Sequence, residues 1–138
     1  MNRRDLQELT RIRLVEAKAL LDAGLFDGAY YLSGYAVECA LKACIARQTQ
    51  SNDFPPKPVL VRNMYTHDLV ALVRLADLSK SLAARIRACA IFQHHWLTVT
   101  DWSEESRYER RSADEASRLL EAITDRRHGV LRWVRSAW

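Results

Sequence analysis

The sequence predicts an all-α protein, an up-and-down bundle of four to six helices that forms one domain over residues 1–138. The length is that of a single domain, and 49% hydrophobic residues are enough for one core. Apolar residues recur at helical spacing, only four glycines are present, and no sustained apolar/polar alternation indicates strands. We therefore expect helices joined by short turns.

The first predicted helix runs from Asp5 to Ala23 and ends at Gly24, a residue type common just after helices. One of its faces carries apolar residues at helical spacing. A narrower apolar stripe on the opposite face needs a second neighbour, either another helix of the bundle or another subunit. The wide face comprises Leu6, Leu9, Leu14, Ala17, Leu20 and Leu21, and the narrow stripe comprises Ile12, Val15 and Ala19.

The second predicted helix begins at Asp27, a good N-cap residue, and continues to Arg47. It is apolar nearly all round, so we expect it to be buried on most sides. Glu38 and Lys42 are the exceptions, spaced four residues apart with the acid first, an order that stabilises a helix. This helix is the predicted centre of the bundle.

The rest of the chain predicts one long loop and several shorter helices. Gln48 to Asn63 contains three prolines and is interpreted as the loop. Ser112 and Glu115 have the spacing of a capping box. The expected elements are a helix from His67 to Asp77 capped by Thr66, one from Ser79 or Ser81 to Asp101, one from Ser112 to Asp125, and a terminal turn after Gly129.

Charge and cysteine content limit the function classes. The net charge is +4, and all but four of the 21 basic residues are arginine, which permits phosphate recognition without requiring it. The three cysteines, Cys39, Cys44 and Cys89, are odd in number and form no CxxC pair, so we expect no disulfide and no metal site. No apolar run is long enough to cross a membrane, and no cofactor-binding motif is present. A cytoplasmic location is expected.

Three segments resemble the HEPN family when they are taken together. Residues 29–43 read AYYLSGYAVECALKA, with the Glu38 and Lys42 pair inside an alanine-rich helix. His67 and Leu69 are followed by Leu72, similar to the HxL…L pattern of that family. Residues 102–108 read WSEESRY, similar to its WxxxSRY segment. The resemblance spans about residues 5–135 and implies a helical bundle that commonly forms a homodimer.

The resemblance also implies a role in toxin–antitoxin or defence modules, often beside a nucleotidyltransferase-like partner protein. Catalytic members of the family are metal-independent endoribonucleases with an Arg, four to six residues and a His near the start of the last long helix. Here no histidine follows Arg107 until His128. We therefore predict a HEPN-like protein that binds RNA, a nucleotide or a partner protein without catalysis of its own. The alternative is a metal-independent endoribonuclease.

Two pairs elsewhere in the chain have the spacing that the alternative requires. Arg87 and His94 are separated by six residues within one predicted helix, and Arg62 and His67 by four. A histidine can move the proton of a 2′-hydroxyl or of the leaving oxygen, while an arginine holds the phosphate charge. The structural interpretation is a solvated arginine and a helix-start or partly buried histidine.

The segment around Trp102, Arg107 and Tyr108 also permits two interpretations. These residues could hold a phosphate and stack on a base, as a nucleotide or RNA site does. Alternatively, Arg107 forms a structural ion pair with Glu38, because a buried acid needs a cation. Residues 126–138 interleave arginines with tryptophans, which is typical of single-stranded nucleic-acid surfaces but also of a last apolar stripe that closes the bundle.

Overall fold

The computed structural model describes residues 1–52 and 58–138, and over these ranges it is all-helical, as predicted. The described part contains eight α-helices, more than the four to six expected, and one 3-10 turn. The helices are α1 (Arg3–Asp22), α2 (Phe26–Asn52), α3 (Pro58–Asn63), α4 (Leu69–Leu75), α5 (Ser79–Ala88), α6 (Ala90–Thr100), α7 (Ala113–Thr124) and α8 (Val130–Arg135), and the 3-10 turn is Glu104–Tyr108.

Helix α2 is the centre of the fold, as its composition predicts. It packs against α1, α4, α7, α8 and the 3-10 turn. Ala36, Ala40 and Ala43 are fully buried, and such small side chains let neighbouring helices approach closely. None of the described helices combines the length and the apolar composition needed to cross a membrane.

The prediction of one long helix between residue 79 and Asp101 is wrong, because the helix is interrupted at Cys89. This residue has an extended backbone (φ −146°, ψ 110°), so it ends α5 and caps the start of α6. The predicted loop is also shorter than expected. Helix α2 continues to Asn52, and α3 begins at Pro58. Proline is well tolerated at the first position of a helix, because an N–H at that position would have no hydrogen-bond partner within the helix. Residues 53–57 of that loop lie outside the described residues.

Side-chain caps determine where α4 and α7 begin. The predicted capping box is confirmed, because Ser112 Oγ accepts from the Glu115 amide at 3.1 Å and Glu115 Oε1 accepts from the Ser112 amide at 3.2 Å. Helix α4 is capped by Asp68 rather than by Thr66. Asp68 Oδ1 accepts from the amides of Val70 and Ala71, so the helix begins two residues later than predicted.

The three cysteines have unequal environments, which leads to a testable difference in reactivity. Burial raises the pKa of the Cys39 and Cys44 thiols to about 11, whereas Cys89 is half-buried. Because the thiolate is the reactive form, iodoacetamide at pH 8 should modify Cys89 first and the other two only after unfolding. Peptide mass spectrometry over time measures this order. Equal rates for all three thiols in the folded protein would contradict it.

Candidate functional site

A buried carboxylate lies in the middle of α2. Glu38 is only 2% exposed, and its Oε1 accepts a hydrogen bond from Lys42 Nζ at 2.8 Å. The same oxygen is 2.9 Å from Nδ1 of His67, which precedes α4. The second oxygen, Oε2, is buried without a hydrogen-bond partner. Because a buried charge needs cationic partners, Glu38 fixes both Lys42 and His67 in place.

The imidazole of His67 connects this buried carboxylate to a half-buried one. Its Nε2 is 3.3 Å from Oε2 of Glu104 on the 3-10 turn. Both ring nitrogens therefore face carboxylate oxygens, which only accept hydrogen bonds. The imidazole therefore lies between two carboxylates, one on α2 and one on the 3-10 turn.

A cavity of about 370 Å³ opens beside His67, between the start of α4 and residues 100–105. We call it the His67 cleft. Asp68, Glu104 and Glu105 contribute carboxylates to its walls, and Thr66 and Ser103 contribute hydroxyl groups. The carboxylates outnumber the single imidazole, so the cleft attracts cations and repels phosphates.

Trp102 forms one wall of the His67 cleft but is mostly committed to the core. The residue is 4% exposed, its Nε1 donates to the Tyr31 carbonyl at 3.1 Å, and its ring stacks on that of Tyr31. Gly34 lies directly under the ring, where a β-carbon would overlap it. The base-stacking role predicted for Trp102 is therefore corrected to a structural one, because little of the ring is free.

The predicted ion pair between Glu38 and Arg107 is absent. Lys42 and His67 occupy the positions around Glu38, while the exposed guanidinium of Arg107 lies 4.9 Å from the centre of the Tyr108 ring. Lys42 reaches Glu38 because it is one helical turn away on the same helix. Arg107 and Tyr108 remain an exposed pair at the end of the 3-10 turn, so their role in binding a nucleotide or RNA stays a prediction.

The two Arg…His pairs are separated in the fold. Arg62 borders another cavity, of about 580 Å³, together with Arg74, and only Thr66 lies on both that cavity and the His67 cleft. Arg87 is on α5 and His94 on α6, so the break at Cys89 removes the shared helix face that the sequence predicted for them. His94 instead borders a cavity of about 260 Å³ beside Tyr30 and Arg111.

Sequence reasoning identified Glu38 and His67 separately but missed their contact, and it missed Glu104. The available signal was the isolated acid in an apolar helix, which had to find a cation. Among the described residues, no group of three His, Cys, Asp or Glu side chains is arranged to hold a metal ion.

Comparisons with family models, with curated proteins and with solved structures found no match for this chain. The resemblance to the HEPN family therefore rests on the three sequence segments described above. The chemistry of the His67 cleft is interpreted from its own geometry.

Proposed function

We propose that this chain is a HEPN-like binding protein of a prokaryotic toxin–antitoxin or defence module, and that it has no catalysis of its own. The His67 cleft receives a basic segment of a partner protein, and the resemblance favours a nucleotidyltransferase-like partner. The observation that carries the proposal is the position of His67 between the buried Glu38 and the half-buried Glu104, inside an acidic cleft.

The walls of the cleft are suited to an arginine or lysine side chain. Carboxylates bind guanidinium groups through paired, charge-assisted hydrogen bonds. The cleft volume falls in the range of small-ligand sites, so a long basic side chain can enter it. Glu38 contacts the imidazole and is itself bonded to Lys42, which orders the cleft before a partner arrives.

The same geometry weighs against the endoribonuclease alternative. Metal-independent RNA cleavage needs a cation where the phosphate charge develops. The charged groups that His67 contacts are the carboxylates of Glu38 and Glu104, Lys42 is paired with Glu38, and Arg62 borders a different cavity. Arg87 and His94 lie on separate helices, so they lose the alignment that the alternative assumed.

The homodimer implied by the resemblance belongs to the same proposal. The narrow stripe of α1 is exposed in the described chain, and Val15 is the most exposed of its apolar side chains, at 71%. This face of α1 is the surface available to a second copy.

A charge-reversal experiment tests the acidic cleft. The double variant Glu104→Lys/Glu105→Lys should bind the protein encoded by the neighbouring gene at least about tenfold more weakly, a loss of about 1.4 kcal/mol. The matched control is Glu8→Lys/Glu121→Lys, which changes the net charge equally on exposed residues that line no part of the cleft. Titration calorimetry measures both. Equal binding by the two double variants would refute a role for the cleft.

Incubation of the purified protein with total RNA in EDTA separates the proposal from its alternative. We expect the RNA to remain intact at high protein concentration. Cleavage that disappears in His67→Ala or in His94→Ala would instead establish an endoribonuclease.

A further inference from the structure

Another cavity, of about 490 Å³, lies where the end of α7 meets α8 and α1. We call it the arginine cavity. It shares no lining residue with the His67 cleft. Its basic lining residues are Arg126, Arg132 and Arg135. Its apolar lining residues are Leu14, Ile123 and Leu131.

The three guanidinium groups form no ion pair with a carboxylate in the part of the chain that the structure describes. Arg132 Nη1 donates to the backbone carbonyl of Arg126 at 2.6 Å, and the guanidinium of Arg135 lies 5.3 Å from the centre of the Trp138 ring. These contacts position the two side chains without neutralising them. Elsewhere in the described chain other arginines are paired with carboxylates, namely Arg11, Arg13, Arg111 and Arg118.

Asp125 is the carboxylate that borders the arginine cavity, and its oxygens have other partners. Oδ2 is 2.9 Å from His95 Nε2, and Oδ1 accepts from the Arg127 amide at 3.1 Å. The bond from His95, followed by the one from the Arg127 backbone, lowers the pKa of Asp125 below its usual value. Asp125 therefore stays ionised and is held by these bonds, and the three arginines outnumber it around the cavity.

The positive surface extends beyond the cavity along α1. The guanidinium of Arg11 lies 5.4 Å from the centre of the Trp138 ring, so Arg11 and Arg135 both contact this indole. A ligand held in the cavity therefore has one further cation nearby, Arg11, which is 3.5 Å from Glu8, together with the indole of Trp138.

We infer that the arginine cavity binds a phosphate ester. Three guanidinium groups match the several oxygens and the multiple charge of a phosphate better than the single charge of a carboxylate. Of its apolar lining residues, Leu14 is half-buried and can contact the less polar part of the ligand, whereas Ile123 and Leu131 are buried. A free nucleotide and the backbone of single-stranded RNA both provide this chemistry.

Three probes distinguish the sources: inorganic phosphate, ATP and a fluorescent eight-nucleotide single-stranded RNA. We expect ATP or the RNA to bind, and the double variant Arg126→Gln/Arg135→Gln to weaken that binding at least tenfold. Arg132 is left unchanged because its side chain also bonds to the backbone. Calorimetry for ATP and anisotropy for RNA, at 50 and 200 mM salt, give the affinities. The tighter ligand identifies the source of the phosphate.

The matched control is Arg4→Gln/Arg110→Gln, which removes the same charge from exposed arginines outside the cavity. It should change the affinity by less than about threefold. If it weakens binding as much as Arg126→Gln/Arg135→Gln does, or if no probe binds at millimolar concentration, the site is refuted. Circular dichroism confirms that each variant is folded. Because the His67 cleft is unchanged in these variants, failure here leaves the partner-binding test unaffected.

Discussion

Replacing Gly34 with alanine is expected to destabilise the protein by roughly 1–3 kcal/mol, the usual cost of overpacking a core. The added β-carbon would overlap the Trp102 ring. That ring cannot retreat easily, because it is buried, stacked on Tyr31 and bonded through Nε1 to the Tyr31 carbonyl. Helix propensity alone predicts the opposite sign, since alanine is favoured over glycine by about 1 kcal/mol inside a helix.

Urea unfolding measures this effect, with Gly28→Ala as the control on the same helix. A β-carbon at Gly28 meets only the end of the flexible Leu20 side chain, at 3.1 Å, so little change is expected there. Combining Gly34→Ala with Trp102→Leu should cost less than the sum of the two single changes, because the overlap is absent without the indole. If Gly34→Ala is as stable as Gly28→Ala, the close packing of Trp102 on α2 is disproved.

Replacing Glu38 with alanine should cost roughly 3 kcal/mol, because it leaves the Lys42 ammonium and the His67 imidazole without their buried partner. The Lys42 side chain is only 22% exposed, so water replaces the lost carboxylate incompletely. Glu38→Gln keeps the shape and one acceptor oxygen, and it should be less harmful.

The control for this prediction is Asp22→Ala, which breaks a pair with Lys18 at the same four-residue spacing. Both of those side chains are more than 60% exposed, so the loss should stay below about 1 kcal/mol. Thermal and urea unfolding compare the two variants. A cost for Glu38→Ala no larger than that for Asp22→Ala would show that burial gives the carboxylate no special role.

The features of the fold that depend on a few residues close together in sequence were predictable. The apolar composition around Glu38 predicted a central helix, and Ser112 with Glu115 predicted the start of α7. The break at Cys89 was not predictable, because the apolar spacing from Leu82 to Trp96 continues through it. Restarting the helix there buries Phe92, Trp96 and Val99 and leaves Leu97 exposed.

The sequence predicted that Glu38 would need a cationic partner, but it did not predict all of the residues that contact it. An acid inside an apolar helix requires a cation, and Glu38 indeed has Lys42. Its second partner, His67, lies 29 residues away in sequence, and no local pattern distinguishes it from Arg107. His67 rather than Arg107 contacts Glu38 because the segment before α4 packs against α2.

The sequence by itself determined the all-α class, the central helix and the capping of α7, because periodicity and caps depend on residues within a few positions of one another. Only the tertiary structure decided which groups surround Glu38, why Gly34 must lack a side chain under Trp102, and how Arg126 and Arg135 meet at one cavity. Those contacts join elements that are distant along the chain, and helix packing fixes their geometry.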